Sequence, residues 1–301
     1  MRILIKTLGD AKHGLGHVKR CLTLARELRR RNVDVVFTTP DNTPGHKIIS
    51  DAQLPIREEA GAAHALIIDV QHGPDRETLA CAREHYPTVI NIGGVGWAMQ
   101  DPDALNELVD LQIYQSVLVD APAHPRRLMG VEYVMINPEY ATLMPDYERG
   151  WVVISMGGSD PHNLTGEAVK ATNGIGRDVI DILGPAINTT APKSLRAFLR
   201  GASLSVIQLG MTAYESLAAG VPPLLVNLSP DHERTSVELE RRGCAINLGL
   251  WNEFDPAALR DRVAWLVARP SELERMGKIG RGLVDGRGVL RVADRIMEAI
   301  K

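Results

Sequence analysis

Twice in this chain an apolar run breaks into a glycine turn that opens a helical pattern. The first runs from Ile3-Leu4-Ile5 through His13-Gly14-Leu15-Gly16-His17-Val18-Lys19-Arg20 into Leu22-Thr23-Leu24-Ala25-Arg26-Glu27-Leu28. The second runs from Trp151-Val152-Val153-Ile154 through Ser155-Met156-Gly157-Gly158-Ser159-Asp160-Pro161 into a helical pattern from Leu164. A strand that turns on glycine into a helix aims backbone N–H groups, and the positive end of the helix dipole, beyond the sheet edge. Two such units predict two similar sheets that share an anionic, phosphate-bearing ligand.

The rest of the pattern extends this plan. In the first half, strands are predicted over 2–6, 33–38, 65–69 and 88–92, helices over 17–31 and 75–84, and a further apolar run, Val117-Leu118-Val119, precedes Asp120. The strand over 65–69 is short, apolar and ends in a carboxylate. These runs are continuous rather than alternating, as parallel strands covered on both faces require. The pattern lapses between Asn137 and Gly150, where Pro138, Pro145 and Gly150 mark a linker. Strands then follow over 151–155, 178–183, 203–208, 223–227 and 245–248. Helices are predicted over 164–172, 194–199, 212–219, 233–241 and 256–268, with an amphipathic helix over 289–300. The expected fold is α/β, with a domain over 1–140 and a second over 150–301 whose last helix can pack back on the first. At 301 residues the chain can bury two cores.

Hydrophobic residues at 45% and charged residues at 24% match a folded globular chain. A net charge of −3 supplies no field for nucleic acid or an anionic membrane. Arg26 and Arg29-Arg30-Arg31 suit the C-terminal end of the first helix. Cys21, Cys81 and Cys244 are scattered and odd in number, which predicts no disulfide frame, no zinc site and a cytoplasmic location. Neither a secretory leader nor a membrane-length apolar stretch is expected.

Four segments carry chemistry. Gly14 and Gly16 can take positive φ and admit a ligand close to the backbone. His17 opens the helix, where the dipole favours a neutral imidazole able to act as a general base; a packing or capping role is the alternative. His13 and His17 have metal-like spacing, but the glycines break the helix and no third ligand follows, so no metal is expected. Gly157, Gly158 and Ser159 can receive a phosphate oxygen, while Ser159 or Asp160 can equally cap the next helix. In the third segment Gly210, Met211 and Thr212 start a helix. Glu215, one turn in, can take both hydroxyls of a ribose or simply answer the dipole. The fourth, Pro230-Asp231-His232-Glu233-Arg234-Thr235, reads as a polar loop opening a helix, able to address sugar hydroxyls through His232 and Glu233.

Together these segments resemble the UDP-sugar hydrolases of pseudaminic-acid biosynthesis and the related spore-coat polysaccharide proteins. More distantly the chain is similar to the GlcNAc transferase that makes the peptidoglycan lipid precursor. The most specific matches are Gly14-x-Gly16-His17-Val18-x-Arg20-Cys21-Leu22-x-Leu24-Ala25 and Met156-Gly157-Gly158-Ser159-Asp160 with Asn163-Leu164. Tyr214-Glu215 with Gly220-Val221-Pro222, and His232-Glu233-Arg234-Thr235, match more weakly. The resemblance implies the GT-B architecture, two Rossmann-like doubly wound domains facing a central cleft. It implies a UDP-linked sugar as donor substrate, no cofactor, no metal, and His17 as the catalytic histidine. Gly157, Gly158 and Ser159 would be the phosphate loop, Thr212 would lie by the phosphates, and Glu215 would hold the ribose.

The acceptor side departs from the hydrolases. Their Asp-His-Tyr-Gly is here Asp69-Val70-Gln71-His72-Gly73, and Ile90-Asn91-Ile92-Gly93-Gly94 stands where an Asp-Asp pair is usual. His72 is a stand-in for the missing tyrosine or a surface-loop residue. Gly93-Gly94-Val95-Gly96-Trp97 leaves room for a bulky acceptor. The expectation is therefore an inverting, metal-independent glycosyltransferase acting on an unknown hydroxyl acceptor. A UDP-sugar hydrolase, with water as the attacking hydroxyl, is the alternative.

Overall fold

The computed structural model describes all residues except 11–13, 58–61, 95–101, 119–122, 158, 159, 161, 183–194 and 301. Contacts divide the chain into two compact units, Met1–Met135 with Arg287–Lys301, and Ile136–Gly286.

The first unit contains β1 (Arg2–Thr7), α1 (Gly16–Arg30), β2 (Asp34–Thr38), α2 (Pro44–Asp51), β3 (Ala65–Asp69), α3 (Arg76–His85), β4 (Thr88–Ile92), α4 (Pro102–Leu108), β5 (Leu111–Tyr114) and β6 (Arg127–Met129). The second contains β7 (Val152–Ser155), α5 (Leu164–Thr172), β8 (Val179–Asp181), α6 (Leu195–Leu199), β9 (Leu204–Gln208), α7 (Met211–Ala219), β10 (Pro223–Asn227), α8 (Pro230–Arg241), β11 (Ile246–Leu250), α9 (Pro256–Val267) and α10 (Pro270–Leu283). The last helix, α11 (Gly288–Ala299), belongs to the first unit.

Every strand pair is parallel. The orders are β2-β1-β3-β4-β5-β6 and β11-β10-β9-β7-β8. In the first sheet Ile3, Ile5, Phe37, Ile67 and Ile90 face Leu24 and Leu28 of α1 and Val292 and Ile296 of α11. The alternate residues Leu4, Leu66, Ile68 and Val89 meet Leu79 and Leu105 on the other face. Both faces being covered is why these strands read as unbroken apolar runs. The second core joins Val152, Ile154, Val206, Leu224 and Val226 to Ala168, Leu259, Val263, Leu273 and Met276. Each fully buried aliphatic side chain contributes about 1.5–3 kcal/mol. Among the described residues no helix is long and apolar enough to cross a membrane.

The structure changes three local readings. The fifth strand is Leu111–Tyr114, not the run at Val117-Leu118, which lies outside any strand. It escapes a hydrophobicity reading because it carries Gln112, 1% exposed, whose amide donates to the Gly93 carbonyl (2.6 Å). The stretch 137–150 is packed into the second unit rather than free as a linker. Pro138–Thr142 forms a 3-10 turn, the Tyr147 hydroxyl donates to the Gly220 carbonyl (2.8 Å), and the Arg281 guanidinium donates to the Leu143 carbonyl. Finally, α8 begins at Pro230, three residues earlier than predicted. Ser229 caps it and Pro230 fills its first turn, where a missing N–H costs nothing.

In each sheet the strand order reverses once along the chain, between β1 and β3 and between β7 and β9. Ligands of doubly wound sheets bind beyond the carboxyl ends of the strands at such switch points.

Candidate active site

The first switch point is built from the loop after β1, the start of α1 and the end of β3. In the β1–β3 register Thr7 lies opposite Asp69. Gly14 takes φ +70 and its N–H donates to the Asp10 carbonyl (2.9 Å). Gly16, read as a second positive-φ position, is instead the first residue of α1, and Leu15, which precedes it, makes no side-chain cap. His17 follows in the first turn. His13 lies outside the described residues.

Asp69 has no exposure, and its two oxygens are fully engaged. Oδ1 lies 2.7 Å from His17 Nδ1 and accepts from Arg20 Nη2 at 2.5 Å. Oδ2 accepts from Arg20 Nε at 2.6 Å and from the Cys21 thiol at 3.2 Å. Burial pushes the carboxyl pKa up, but the Arg20 charge and hydrogen bonds, followed by those of His17, outweigh it and hold the group at about 2. Burial and the adjacent Asp69 charge push the Cys21 thiol well up, so it remains a donor. An ionised Asp69 can only accept, so the bond to His17 requires the proton on Nδ1. That leaves Nε2 of a neutral ring as a lone pair. Arg20 Nη2 also lies 3.0 Å from Nδ1, but its shorter contact is to the carboxylate. The result is an oriented imidazole, its side chain 19% exposed, on a carboxylate clamped from behind.

The second switch point brings together Gly157 after β7 and Gly210, Met211 and Thr212 after β9. Ser155 and Ile207 are register partners at the ends of those strands. Gly157 takes φ +81; Gly158 and Ser159 lie outside the described residues. The two helices that start here differ. The Asp160 carboxylate accepts from the N–H groups of Leu164 (2.9 Å) and Thr165 (3.0 Å) at the start of α5. Its own anion thus occupies that helix N-terminus. At α7, Gly210 is the capping residue and so supplies no side-chain cap. An uncapped helix start of this kind leaves its opening N–H groups and dipole able to meet an anion.

Glu215 lies one turn into α7 and is half-buried. One strand along, His232 and Glu233 sit in the first turn of α8. The His232 N–H donates to Ser229 Oγ (3.3 Å), its Nδ1 is buried with no hydrogen-bond partner among the described residues, and burial lowers its pKa. Below them Asn227, fully buried, donates to Asn247 Oδ1 (2.7 Å) and the Gly249 carbonyl (2.9 Å) and accepts from Ser236 Oγ (2.5 Å). Among the described residues no group of His, Cys, Asp and Glu could hold a metal ion.

No family model matches the chain. It is 21% identical to the spore coat polysaccharide biosynthesis protein SpsG of Bacillus subtilis, across 97% of this chain and 96% of that protein. Among solved structures, spinosyn forosaminyltransferase SpnP aligns with 100% of this chain and 99% of its own at a TM-score of 0.70 and 14% identity. MurG of Acinetobacter baumannii aligns with 99% of this chain and 100% of its own at a TM-score of 0.64 and 14% identity. The fold is GT-B.

On this GT-B frame the sequence-predicted residues gather at two sheet edges. Gly14, Gly16 and His17 stand at the first; Gly157, Gly210, Met211, Thr212, Glu215, His232 and Glu233 stand along β7, β9 and β10 of the second. His72 takes a left-handed turn conformation after β3 and is exposed. Trp97 lies outside the described residues. Sequence reasoning missed the roles of Asp69 and Arg20, although a buried apolar strand ending in a carboxylate was the visible signal.

Proposed function

We propose that the protein is an inverting, metal-independent glycosyltransferase using a nucleoside-diphosphate sugar, UDP-linked, as donor. The observation that carries this reading is the His17–Asp69–Arg20 assembly at the switch point of the first GT-B sheet. Nε2 of His17 takes the proton of an acceptor hydroxyl as its oxygen attacks the anomeric carbon. The bond from that carbon to the diphosphate oxygen breaks, the nucleoside diphosphate leaves, and the configuration at carbon inverts. Asp69 fixes the ring and stabilises the imidazolium that forms. The opening N–H groups of α7 at Met211 and Thr212 meet the charge growing on the diphosphate, the task a metal performs elsewhere. Glu215 accepts from the ribose hydroxyls, and His232 and Glu233 address the sugar.

The reading is supported by the similarity to SpsG, a spore coat polysaccharide biosynthesis protein, and by a fold shared with MurG and SpnP. Water in place of the acceptor makes the same residues a UDP-sugar hydrolase, recognised by free sugar released without acceptor. His17→Ala tests the mechanism. Turnover should fall by about 10²–10⁴ with UDP affinity kept within about twofold, because the nucleotide contacts assigned here lie in the second unit. A variant with full turnover removes His17 from the reaction.

A further inference from the structure

β1 carries a lysine near its carboxyl end, and the strand register fixes what stands beside it. Lys6 lies opposite Thr38 of β2 on one side and Ile68 of β3 on the other. Beyond β2 the segment 55–57 runs alongside. Phe37 bridges to Ile56 in the parallel sense, and the Arg57 N–H donates to the Phe37 carbonyl (2.9 Å). One residue further along, Arg57, Thr38, Lys6 and Ile68 therefore form a row across the sheet. Side chains of one row share a face, and Ile68 packs with Leu4 and Leu79 on the α3 face. Lys6 and Arg57 thus stand two strand spacings apart, about 10 Å, with the Thr38 hydroxyl between them.

Thr38 lines two cavities. The larger, about 550 Å³, is walled by the apolar Leu4, Leu66 and Ile68 and is also lined by Lys6 and Cys81. The smaller, about 230 Å³, is lined by Thr39 and Arg57, and Thr39 Oγ1 is buried with no hydrogen-bond partner among the described residues. Neither the Lys6 nor the Arg57 side chain makes a hydrogen bond or ion pair among the described residues. Two of the acids that line these cavities are engaged. Asp75 caps α3 by accepting from the Thr78 N–H (2.7 Å), and Asp41 pairs with His46 (3.3 Å). Glu77 is exposed at the start of α3. A phosphate monoester brings three acceptor oxygens and close to two negative charges at neutral pH. It can accept from an ammonium, a guanidinium and a hydroxyl together, where a carboxylate has only two oxygens to share. We propose that this row is a binding site for a phosphate monoester with an apolar body. The phosphate sits between Lys6 and Arg57 at Thr38, and the body lies against Leu4, Leu66 and Ile68. The site belongs to the first unit alone and does not depend on the donor reading above.

Cys81 supplies the readout, because it is exposed at the larger cavity while Cys21 and Cys244 are buried. The native full chain is labelled with N-ethylmaleimide at constant ionic strength, and Cys81 is followed by peptide mass spectrometry. The probes are phenyl phosphate, phenol and inorganic phosphate. Phenyl phosphate at about 10 mM should slow labelling about tenfold, as a Kd of about 1 mM for a fragment of this size requires. Phenol or inorganic phosphate alone should slow it by less than about twofold. Lys6→Gln and Arg57→Gln change exposed side chains and should melt close to wild type. Each should reduce the slowing by phenyl phosphate to about threefold. Lys47→Gln, which removes an exposed cation of α2 paired with Asp51, should leave the slowing at its wild-type value. No slowing in wild type overturns the site. Equal slowing by phenol overturns the phosphate assignment, and undiminished slowing in both Lys6→Gln and Arg57→Gln overturns the role of the row. An equal loss in Lys47→Gln also overturns it, because any positive charge would then serve.

Discussion

Replacing Asp69 by Asn removes one charge and almost no volume from the centre of the first switch point. In the folded chain the Asp69 carboxyl titrates at about 2, against an ordinary value of 3.8. At about 1.4 kcal/mol per unit, this depression is worth about 2 kcal/mol of stability. The folded pKa lies below the unfolded one, so the contribution is complete above about pH 4–5. It is lost as pH falls toward 2: about 1 kcal/mol has gone by pH 3 and most of the rest by pH 2. Asparagine cannot show this acid limb. At pH 7 its cost is larger, because Arg20, only 14% exposed at its side chain, keeps its charge while losing the Asp69 carboxylate. The new amide NH₂ also faces donors. Truncating one side of a buried, hydrogen-bonded ion pair costs about 3–5 kcal/mol. Urea unfolding of the full chain, followed by far-UV circular dichroism between pH 7 and pH 3, measures both effects. Asp69→Asn should be about 3 kcal/mol less stable at pH 7, with the gap to wild type narrowing by about 1 kcal/mol at pH 3. Equal stability at pH 7, or curves that stay parallel down to pH 3, would refute the ion-pair reasoning.

Asp160→Ala should remove the cap on α5 and lower stability by about 1–2 kcal/mol in the same urea assay, with UDP affinity kept within about twofold. A large loss of UDP binding would move the diphosphate from α7 to α5. Asn227→Ala should cost about 2–4 kcal/mol, since the Asn247 and Gly249 oxygens lose a donor and the Ser236 hydroxyl loses an acceptor inside the second unit; a melting temperature equal to wild type would refute this.

The strands were legible where both faces are apolar. Ala65–Asp69 and Thr88–Ile92 stand where predicted, because parallel strands buried on two sides cannot hide. Leu111–Tyr114 was not legible, since Gln112 is polar yet buried against Asn91 and Gly93, a pairing that exists only after β4 and β5 meet. The place of His17 was legible from its glycine turn. Its partner was not: β1 pairs with β3 across an intervening β2 in the chain, so Asp69 reaches His17 only through topology. The same holds for Pro138–Thr142, whose proline-punctuated surroundings resemble a linker until they pack on α7. Asp160 shows the converse case. A cap and a phosphate loop share one sequence signature; the distances to Leu164 and Thr165 establish the cap at Asp160, while Gly158 and Ser159 lie outside the described residues.

UDP release from a panel of UDP-sugars, with and without a mixed acceptor extract, is the most direct measurement. Release that depends on acceptor and disappears in His17→Ala is the expected result. Release in buffer with free sugar appearing would make the chain a hydrolase using the same residues. No release from any donor, with no UDP binding, would contradict a nucleotide-sugar enzyme altogether.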